Sequence, residues 1–325
     1  MKEQMPEMPA NLGIQSSDHE QLPQENEQEK MLEKLTSLVG DIYAERLAKK
    51  VEAGKSTANE AELSLRDNLD HVGQVKDNVD FIINEIRAGR MIDRSITKDE
   101  NGQVVFDEKL LKAMAVLHDI AKIDEKGELD TFYHHEKDKV EKILANDQSK
   151  INEFLKNNGF SSEDISLMIS GIESHSRRTD FIARHFNNIN KQEISSLPRP
   201  ESALEYVILS DADILTQSRL DQGVRKIICA RLMFFRQNDT IDGYHSFSKT
   251  WESVIDSAQK VSEAMHFDLT KQKASDQLKQ VLDFENWLKE NNKIAEIDGL
   301  GDFGLKKKRF DELIGEFLSV ADKKQ

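Results

Sequence analysis

Between residues 24 and 197 the chain contains no proline, and apolar residues recur there at spacings of three and four. Proline interrupts helices because its ring fixes φ and leaves no N–H to donate, so a long proline-free segment can form unbroken helices. Spacings of three and four place apolar side chains on one face of a helix. The alternation typical of strands is absent, apart from a short hairpin expected around Asn101-Gly102. The sequence therefore predicts an all-α fold.

Each predicted helix is located by its run of apolar residues and by the turn residues that end it. The first ends near Gly54 and the second near Gly89, and Ser161 with Asp164 resembles a capping box that opens the fifth. His71 is expected at the start of the second helix. In order, the predicted helices cover about residues 31–51, 71–86, 110–120, 136–156, 161–175, 201–216, 219–236, 247–266, 274–291 and 305–320.

The charge balance narrows the classes of partner. The chain has 45 Lys+Arg against 60 Asp+Glu, a net charge of −15, which argues against a surface for duplex nucleic acid or for anionic membranes. No apolar run approaches the roughly 18–20 residues of a membrane span, and the first residues lack the apolar region of a secretory signal. The single cysteine, Cys229, cannot form an internal disulfide. We therefore expect a cytoplasmic protein.

The pair His118-Asp119 lies in the most apolar predicted helix, within Ala115–Lys122. Burying a charged group there is costly unless something compensates the charge. A divalent cation is one such compensation, since neutral imidazole and carboxylate both bind metal ions. The alternative is that the segment is a helix C-terminus from which His118, Asp119 and Lys122 reach solvent. The pair alone does not decide between these interpretations.

Further candidate ligands lie before and after this pair, each on its own predicted helix. They are His71, then His134 and His135 before Glu136, then His175 at the end of the fifth helix, then Asp211 and Asp213 within an apolar helix. Taken singly, each is more typical of a buried polar side chain or an exposed helix end than of a ligand. The ordered series of His, His-Asp, His-Glu, His and Asp is what favours a metal site.

This series resembles the HD superfamily of metal-dependent phosphohydrolases over about residues 65–220. The resemblance implies an HD-type helical bundle, and the apolar spacing adds extra N- and C-terminal helices outside it. Its implied metal ligands are His71, His118, Asp119 and Asp213. In members with two metals, additional histidines lie between the pair and the last Asp, and His135 and His175 are similar to these.

Two ligand choices depend on the resemblance. The family pattern of His followed by Glu favours His135 over His134. An Ala-Asp-x-Leu form favours Asp213, although the apolar spacing of this helix would point Asp211 inward, so Asp211 stays the alternative. The segment from Leu117 to Lys122 has Ala121 where the family often has Gly, and the Gly-Tyr-Pro signature of the cyclic-di-GMP branch is missing.

The implied activity is hydrolysis of a phosphate monoester or diester, such as a nucleotide, by a metal-activated water. Asp119 is the expected bridging ligand if two ions bind, and Lys122 is expected beside it as a catalytic or phosphate-binding cation. Arg177 and Arg178 follow His175 and are further phosphate-binding candidates. For these three cations, exposure near a helix end is the competing interpretation.

His and Asp ligands without a thiolate fit one or two ions of Mn, Fe, Co, Ni or Zn better than Mg. The expected partner is a phosphorylated small molecule or a nucleotide. The alternative function is a catalytically silent HD-type domain that binds a nucleotide or a protein as a regulatory module. The long flanking segments favour this alternative, whereas the complete set of ligand positions favours an enzyme.

Composition and the resemblance divide the chain into four parts. Residues 1–28 are rich in Pro, Gln and Glu and are expected to be a disordered tail. Residues 29–64 are a predicted N-terminal helical segment, 65–240 the metal-binding helical domain, and 241–325 a C-terminal helical extension. In that extension His266 falls at a predicted helix end and is expected to be exposed.

Overall fold

The computed structural model describes residues 22–91, 96–127, 136–175, 203–225, 247–300 and 303–321. Over these ranges the chain forms helices joined by turns, with no β-sheet, so the predicted all-α fold is confirmed. At Asn101-Gly102 the chain makes a tight turn closed by an antiparallel β-bridge between Lys98 and Val104. None of the helices in these ranges is long and apolar enough to cross a membrane.

Helices follow one another along most of the described chain. In order they are α1 (Leu22–Glu52), α2 (Ala58–Arg87), α3 (Glu108–Leu117), α4 (Lys137–Leu144), α5 (Lys150–Asn157), α6 (Ser162–His175), α7 (Leu204–Gln217), a π-helical turn (Leu220–Val224), α8 (Phe247–Ser262), α9 (Asp268–Glu290), α10 (Lys293–Asp298) and α11 (Phe303–Ala321).

The N-terminus of α2 is set by a capping box. Thr57 Oγ1 accepts a hydrogen bond from the Glu60 N–H at 3.2 Å, and Glu60 Oε2 accepts one from the Thr57 N–H at 2.8 Å. Each side chain thereby satisfies an N–H that has no partner within the helix. The helix begins well before His71, which lies inside α2 and not at its start as predicted.

The predicted fourth helix is two helices, α4 and α5, separated by residues 145–149. Ser149 caps α5 by accepting a hydrogen bond from the Ile151 N–H at 3.2 Å, and Asn152 Nδ2 donates to the Leu144 carbonyl at 2.6 Å. The apolar spacing continues across this turn, so it did not reveal the break. The predicted capping box of α6 is present, with Asp164 N–H donating to Ser161 Oγ at 3.1 Å.

Two hydrophobic cores hold the described helices together. The first takes buried side chains from α1 through α7 and reaches Phe267 and Ala274 in the C-terminal part. The second joins the π-helical turn to α8, α9, α10 and α11 around Trp251, Phe284 and Phe310. Helix α1 belongs to the first core, where Tyr43 is fully buried. It begins at Leu22, so residues 22–28, which composition assigned to the tail, are helical, while residues 1–21 lie outside the described residues.

Candidate metal centre

Helix α2, the end of α3 and helix α7 bring three of the predicted ligand segments together. His71 lies within α2, Asp213 within α7, and His118 is the C-cap of α3 with Asp119 directly after it. His118 is 1 % exposed, Asp119 3 % and Asp213 8 %. The His-Asp pair therefore does lie at a helix C-terminus, as the alternative interpretation had it, but its side chains are buried and do not extend into solvent.

The donor atoms of these residues converge on His71. Its Nε2 lies 3.1 Å from His118 Nε2, 3.4 Å from Asp119 Oδ2 and 3.2 Å from Asp213 Oδ1. His118 Nε2 is 3.7 Å from Asp119 Oδ2 and 3.9 Å from Asp213 Oδ1. One donor atom each of His71, His118 and Asp119 lies within 4.8 Å of the others, so this group could hold a metal ion.

The backbone orients two imidazole rings toward the cluster. His118 Nδ1 lies 2.8 Å from the Ala115 carbonyl, and His175 Nδ1 lies 2.6 Å from the Ile172 carbonyl. A carbonyl only accepts, so each Nδ1 carries the proton, and the neutral ring has its lone pair on Nε2. This is the tautomer in which Nε2 binds metals, and a hydrogen bond at the other ring nitrogen is typical of metal-binding histidines.

Burial and charge set the protonation of the cluster. Burial lowers the pKa of His118 to about 4, and the neighbouring Asp119 and Asp213 carboxylates only partly oppose this. At neutral pH the imidazole is therefore uncharged, as a ligand must be. Burial alone would raise the pKa of Asp213, but the hydrogen bond with His71 and the nearby histidines outweigh it and hold that pKa well below its ordinary value. Asp213 is thus a carboxylate.

Lys122 lies at the cluster, as predicted from its position one turn after His118. Its ammonium group donates to Asp119 Oδ2, and 14 % of its side chain is exposed. Asp119 Oδ2 is also the oxygen that faces His71. In the structure, therefore, the Lys122 ammonium compensates part of the negative charge of the two carboxylates.

His175 is the only further predicted ligand that the described part of the chain brings to the cluster. It ends α6, is 2 % exposed, and its Nε2 lies 3.9 Å from Asp213 Oδ2. Its ring centroid is 5.7 Å from that of His118. The other predicted site residues, namely His134, His135, Arg177 and Arg178, lie outside the described residues.

Asp211, the alternative to Asp213, faces a different part of the protein. Its carboxylate accepts hydrogen bonds from the backbone N–H groups of His266 at 2.8 Å and Phe267 at 3.0 Å. It also accepts from Thr270 Oγ1 and lies 2.9 Å from His266 Nδ1. Asp211 thus ties α7 to the start of α9, where it satisfies the N–H groups of the N-cap Phe267 and of the residue before it. His266 is 2 % exposed, so the expectation that it is exposed is wrong.

Sequence reasoning missed residues that support the cluster without belonging to it. Asn78, two turns after His71 on the same face of α2, is 7 % exposed and donates from Nδ2 to the Ala212 carbonyl at 2.9 Å. This hydrogen bond holds α2 against α7 next to Asp213. The sequence offered one sign of this contact, since Asn78 is a polar residue within the apolar series of Val72, Val75 and Val79.

Helix α1 supplies two more supporting contacts. The Tyr43 hydroxyl donates to the Asp119 carbonyl at 2.6 Å, and Arg46 Nη1 donates to the carbonyls of Ile120, at 3.0 Å, and Ile123. Burial, together with the charge of Asp119, raises the pKa of Tyr43 well above its ordinary value, so its hydroxyl keeps the proton it donates. No local pattern in the sequence signalled these contacts.

Comparison of the chain with family models, with curated proteins and with solved structures finds no match.

Proposed function

We propose that the chain is a metal-dependent phosphohydrolase of the HD type, acting on a phosphate monoester or diester such as a nucleotide. The observation that carries this proposal is the convergence of His71, His118, Asp119 and Asp213 from distant parts of the sequence into one buried cluster. Burying histidines and carboxylates costs free energy unless they are paired or bind a cation. A bound metal ion would offset this cost, so the burial of the cluster supports a metal site.

The donor set fits a divalent transition metal better than Mg²⁺, because it combines imidazole nitrogens with carboxylate oxygens. Mn, Fe, Co, Ni and Zn all meet this description. When bound, such an ion lowers the pKa of a coordinated water and neutralises charge on a phosphoryl group. The roles that follow for the chain are ligation by His71, His118, Asp119 and Asp213, with His118 oriented by the Ala115 carbonyl.

Lys122 is the substrate-binding residue that the geometry supports best. Its ammonium is within hydrogen-bonding distance of Asp119 and partly accessible, so it lies where a phosphate oxygen could approach the centre. A cation at Asp119 would compete with Lys122 for the carboxylate and leave the ammonium available to phosphate. Arg177 and Arg178 remain candidates for the same role from their position after His175.

The test is metal analysis combined with a phosphatase assay on the full chain. We expect about one or two transition-metal ions per chain, and metal-dependent hydrolysis of at least one monoester or diester in a panel of nucleotides. Asp119→Ala should lose metal and activity together while helical circular dichroism stays near wild type. Asp147→Ala is the matched control, because this carboxylate is 83 % exposed on the turn between α4 and α5.

The outcomes separate the competing functions. Full metal occupancy in Asp119→Ala would show that the ligand assignment is wrong. Bound metal with no hydrolysis of any substrate in the panel would favour the silent binding module. A protein that binds none of the five metals after metal soaking would contradict the metal centre itself.

A further inference from the structure

We propose that Tyr43 and Arg46 of α1 are positioning residues that hold Asp119 in the geometry that binds the metal ion. The inference rests on the proposed metal centre, and it makes the N-terminal helix an integral part of that centre. Both side chains are far from the His-Asp pair in sequence: Tyr43 is 76 positions from Asp119, and Arg46 is 74 positions from Ile120.

Asp119 lies in a turn directly after α3, which is joined to the helix by the Ile120 N–H donating to the Leu117 carbonyl at 2.9 Å. The helix ends at Leu117, so the carbonyls that follow are no longer bonded within a regular helix. Within the turn, the Asp119 carbonyl accepts the Lys122 N–H at 2.8 Å. The direction of the Asp119 carboxylate depends on this backbone, because two short bonds connect the carboxylate to Cα.

Tyr43 holds the residue directly. Its side chain is fully buried in the first core, and its hydroxyl donates to the Asp119 carbonyl at 2.6 Å. A buried tyrosine ring has little freedom to move, so its hydroxyl is a fixed point against which the turn is placed. The hydrogen bond reaches the backbone of the ligand residue, so it holds Asp119 without occupying either of its carboxylate oxygens.

Arg46, one turn after Tyr43 on α1, holds the next part of the turn. Its Nη1 donates to the carbonyls of Ile120 and Ile123. Two carbonyls that point at one guanidinium nitrogen must lie close together, so Arg46 keeps the segment folded back on itself. Together the two side chains hold the backbone on both sides of Ala121.

The same segment also approaches the backbone of α1 closely. Gly127 has φ +79°, and a Cβ added there would lie 2.4 Å from the Arg46 carbonyl oxygen and 2.8 Å from Lys50 Cβ. Only glycine permits this approach. From Asp119 to Gly127, therefore, the chain follows the surface of α1, and the placement of Asp119 is determined by a helix that contributes no ligand.

The experiment measures metal affinity, because a merely structural role would change stability without selectively changing the affinity for the ion. MnCl₂ is titrated into the metal-stripped full chain by calorimetry, for wild type, Tyr43→Phe, Arg46→Met and Arg46→Lys. Loss of supporting groups around metal ligands typically weakens binding by about 10–100-fold, which is the range expected for Tyr43→Phe and Arg46→Met. Arg46→Lys should be intermediate, because one ammonium retains a donor for a carbonyl.

Tyr206→Phe is the matched control. The Tyr206 hydroxyl also donates to a backbone carbonyl, that of Leu167 at 3.1 Å, but Leu167 is not a proposed ligand. This variant should bind Mn²⁺ within about twofold of wild type, a difference of about 0.4 kcal/mol. Helical circular dichroism of each metal-free variant verifies that it is folded, and if Arg46→Met does not fold, Tyr43→Phe decides the matter.

The results distinguish this inference from the proposed function. If Asp119→Ala loses Mn²⁺ while Tyr43→Phe binds it as wild type does, the positioning role is wrong and the metal centre stands. Equal weakening in Tyr43→Phe and Tyr206→Phe would also overturn it, since the effect would then be general. If wild type binds none of the five metals when each is titrated in turn, or binds them as Asp119→Ala does, the metal centre is wrong and the positioning role is overturned with it.

Discussion

Asp211 and Asp213 lie two residues apart on α7, and their carboxylates serve different parts of the protein. Asp213 Oδ1 is 3.2 Å from His71 Nε2, whereas Asp211 Oδ1 is 2.9 Å from His266 Nδ1. Two residues along an α-helix correspond to a rotation of about 200°, so the two side chains point to nearly opposite sides of α7. One carboxylate therefore belongs to the candidate metal centre, and the other joins α7 to the start of α9.

The first prediction separates these two roles. Asp213→Asn should weaken Mn²⁺ binding at least about tenfold, because a charged ligand is lost. Asp211→Asn should lower the free energy of unfolding by about 1–3 kcal/mol, because one of the two oxygens becomes an NH₂ group that faces the N–H donor of either His266 or Phe267. Calorimetric titration and denaturant melts of both variants make the comparison. Loss of metal binding in folded Asp211→Asn alone would mean that Asp211 is the ligand.

The second prediction concerns the number of ions and depends on His135 and His175. If two ions bind, replacing both histidines with Ala should remove about half of the bound metal and leave one ion held by His71, His118, Asp119 and Asp213. His175 lies beside one of the proposed ligands, with its Nε2 3.9 Å from Asp213 Oδ2. Metal content is measured on purified, reconstituted protein. Unchanged metal with weakened substrate binding would instead identify the two histidines as substrate contacts at a one-ion site.

The third prediction uses two glycines with almost the same backbone. Gly127 has φ +79° and Gly102 has φ +78°, but an added Cβ at Gly102 meets nothing within 4 Å. Gly102→Ala should therefore cost only about 1 kcal/mol for its left-handed conformation. Gly127→Ala should cost about 1–3 kcal/mol more, because its Cβ clashes with the backbone of α1. Denaturant melts of the metal-free variants test this, and equal costs would contradict the close approach.

The fourth prediction is a pH dependence at the start of α3. Burial opposes ionisation of Glu108, but Lys112 and Arg87 outweigh it and lower the pKa of Glu108 from 4.5. A carboxylate whose pKa is lowered on folding contributes stability above its unfolded pKa, and loses that contribution as the pH falls through the folded value. Wild type should therefore be more stable than Glu108→Gln by about 0.5–1 kcal/mol at pH 7.

This difference should decrease as the pH falls below 4.5, where the carboxylate of the unfolded chain is protonated. Unfolding free energies of both proteins at several pH values provide the measurement. The same comparison in a Lys112→Gln background is the control, because Lys112 Nζ lies 2.9 Å from Glu108 Oε1 and its removal should reduce the difference. A difference independent of both pH and Lys112 would refute the ion pair as its source.

Local sequence patterns predicted most of the fold because helices are determined over short distances. Apolar spacing located α2, α3 and α6, and Gly54 and Gly89 lie just beyond the helix ends at positive φ, as their positions suggested. The same spacing missed the turn between α4 and α5, because apolar residues continue in register across it. It also placed His71 at a helix start, since the capping residues Thr57 and Glu60 lie before the first strong apolar position.

What the sequence by itself determined is the all-α class and the series of His and Asp residues that a metal centre would need. Only the tertiary structure decided that Asp213 and not Asp211 faces His71, that His266 is buried, and that Tyr43 holds the Asp119 backbone. These contacts join residues 55 or 76 positions apart, as in His266 with Asp211 and Tyr43 with Asp119. Helical periodicity shows which side of a helix is apolar, but which polar groups meet depends on how the helices pack.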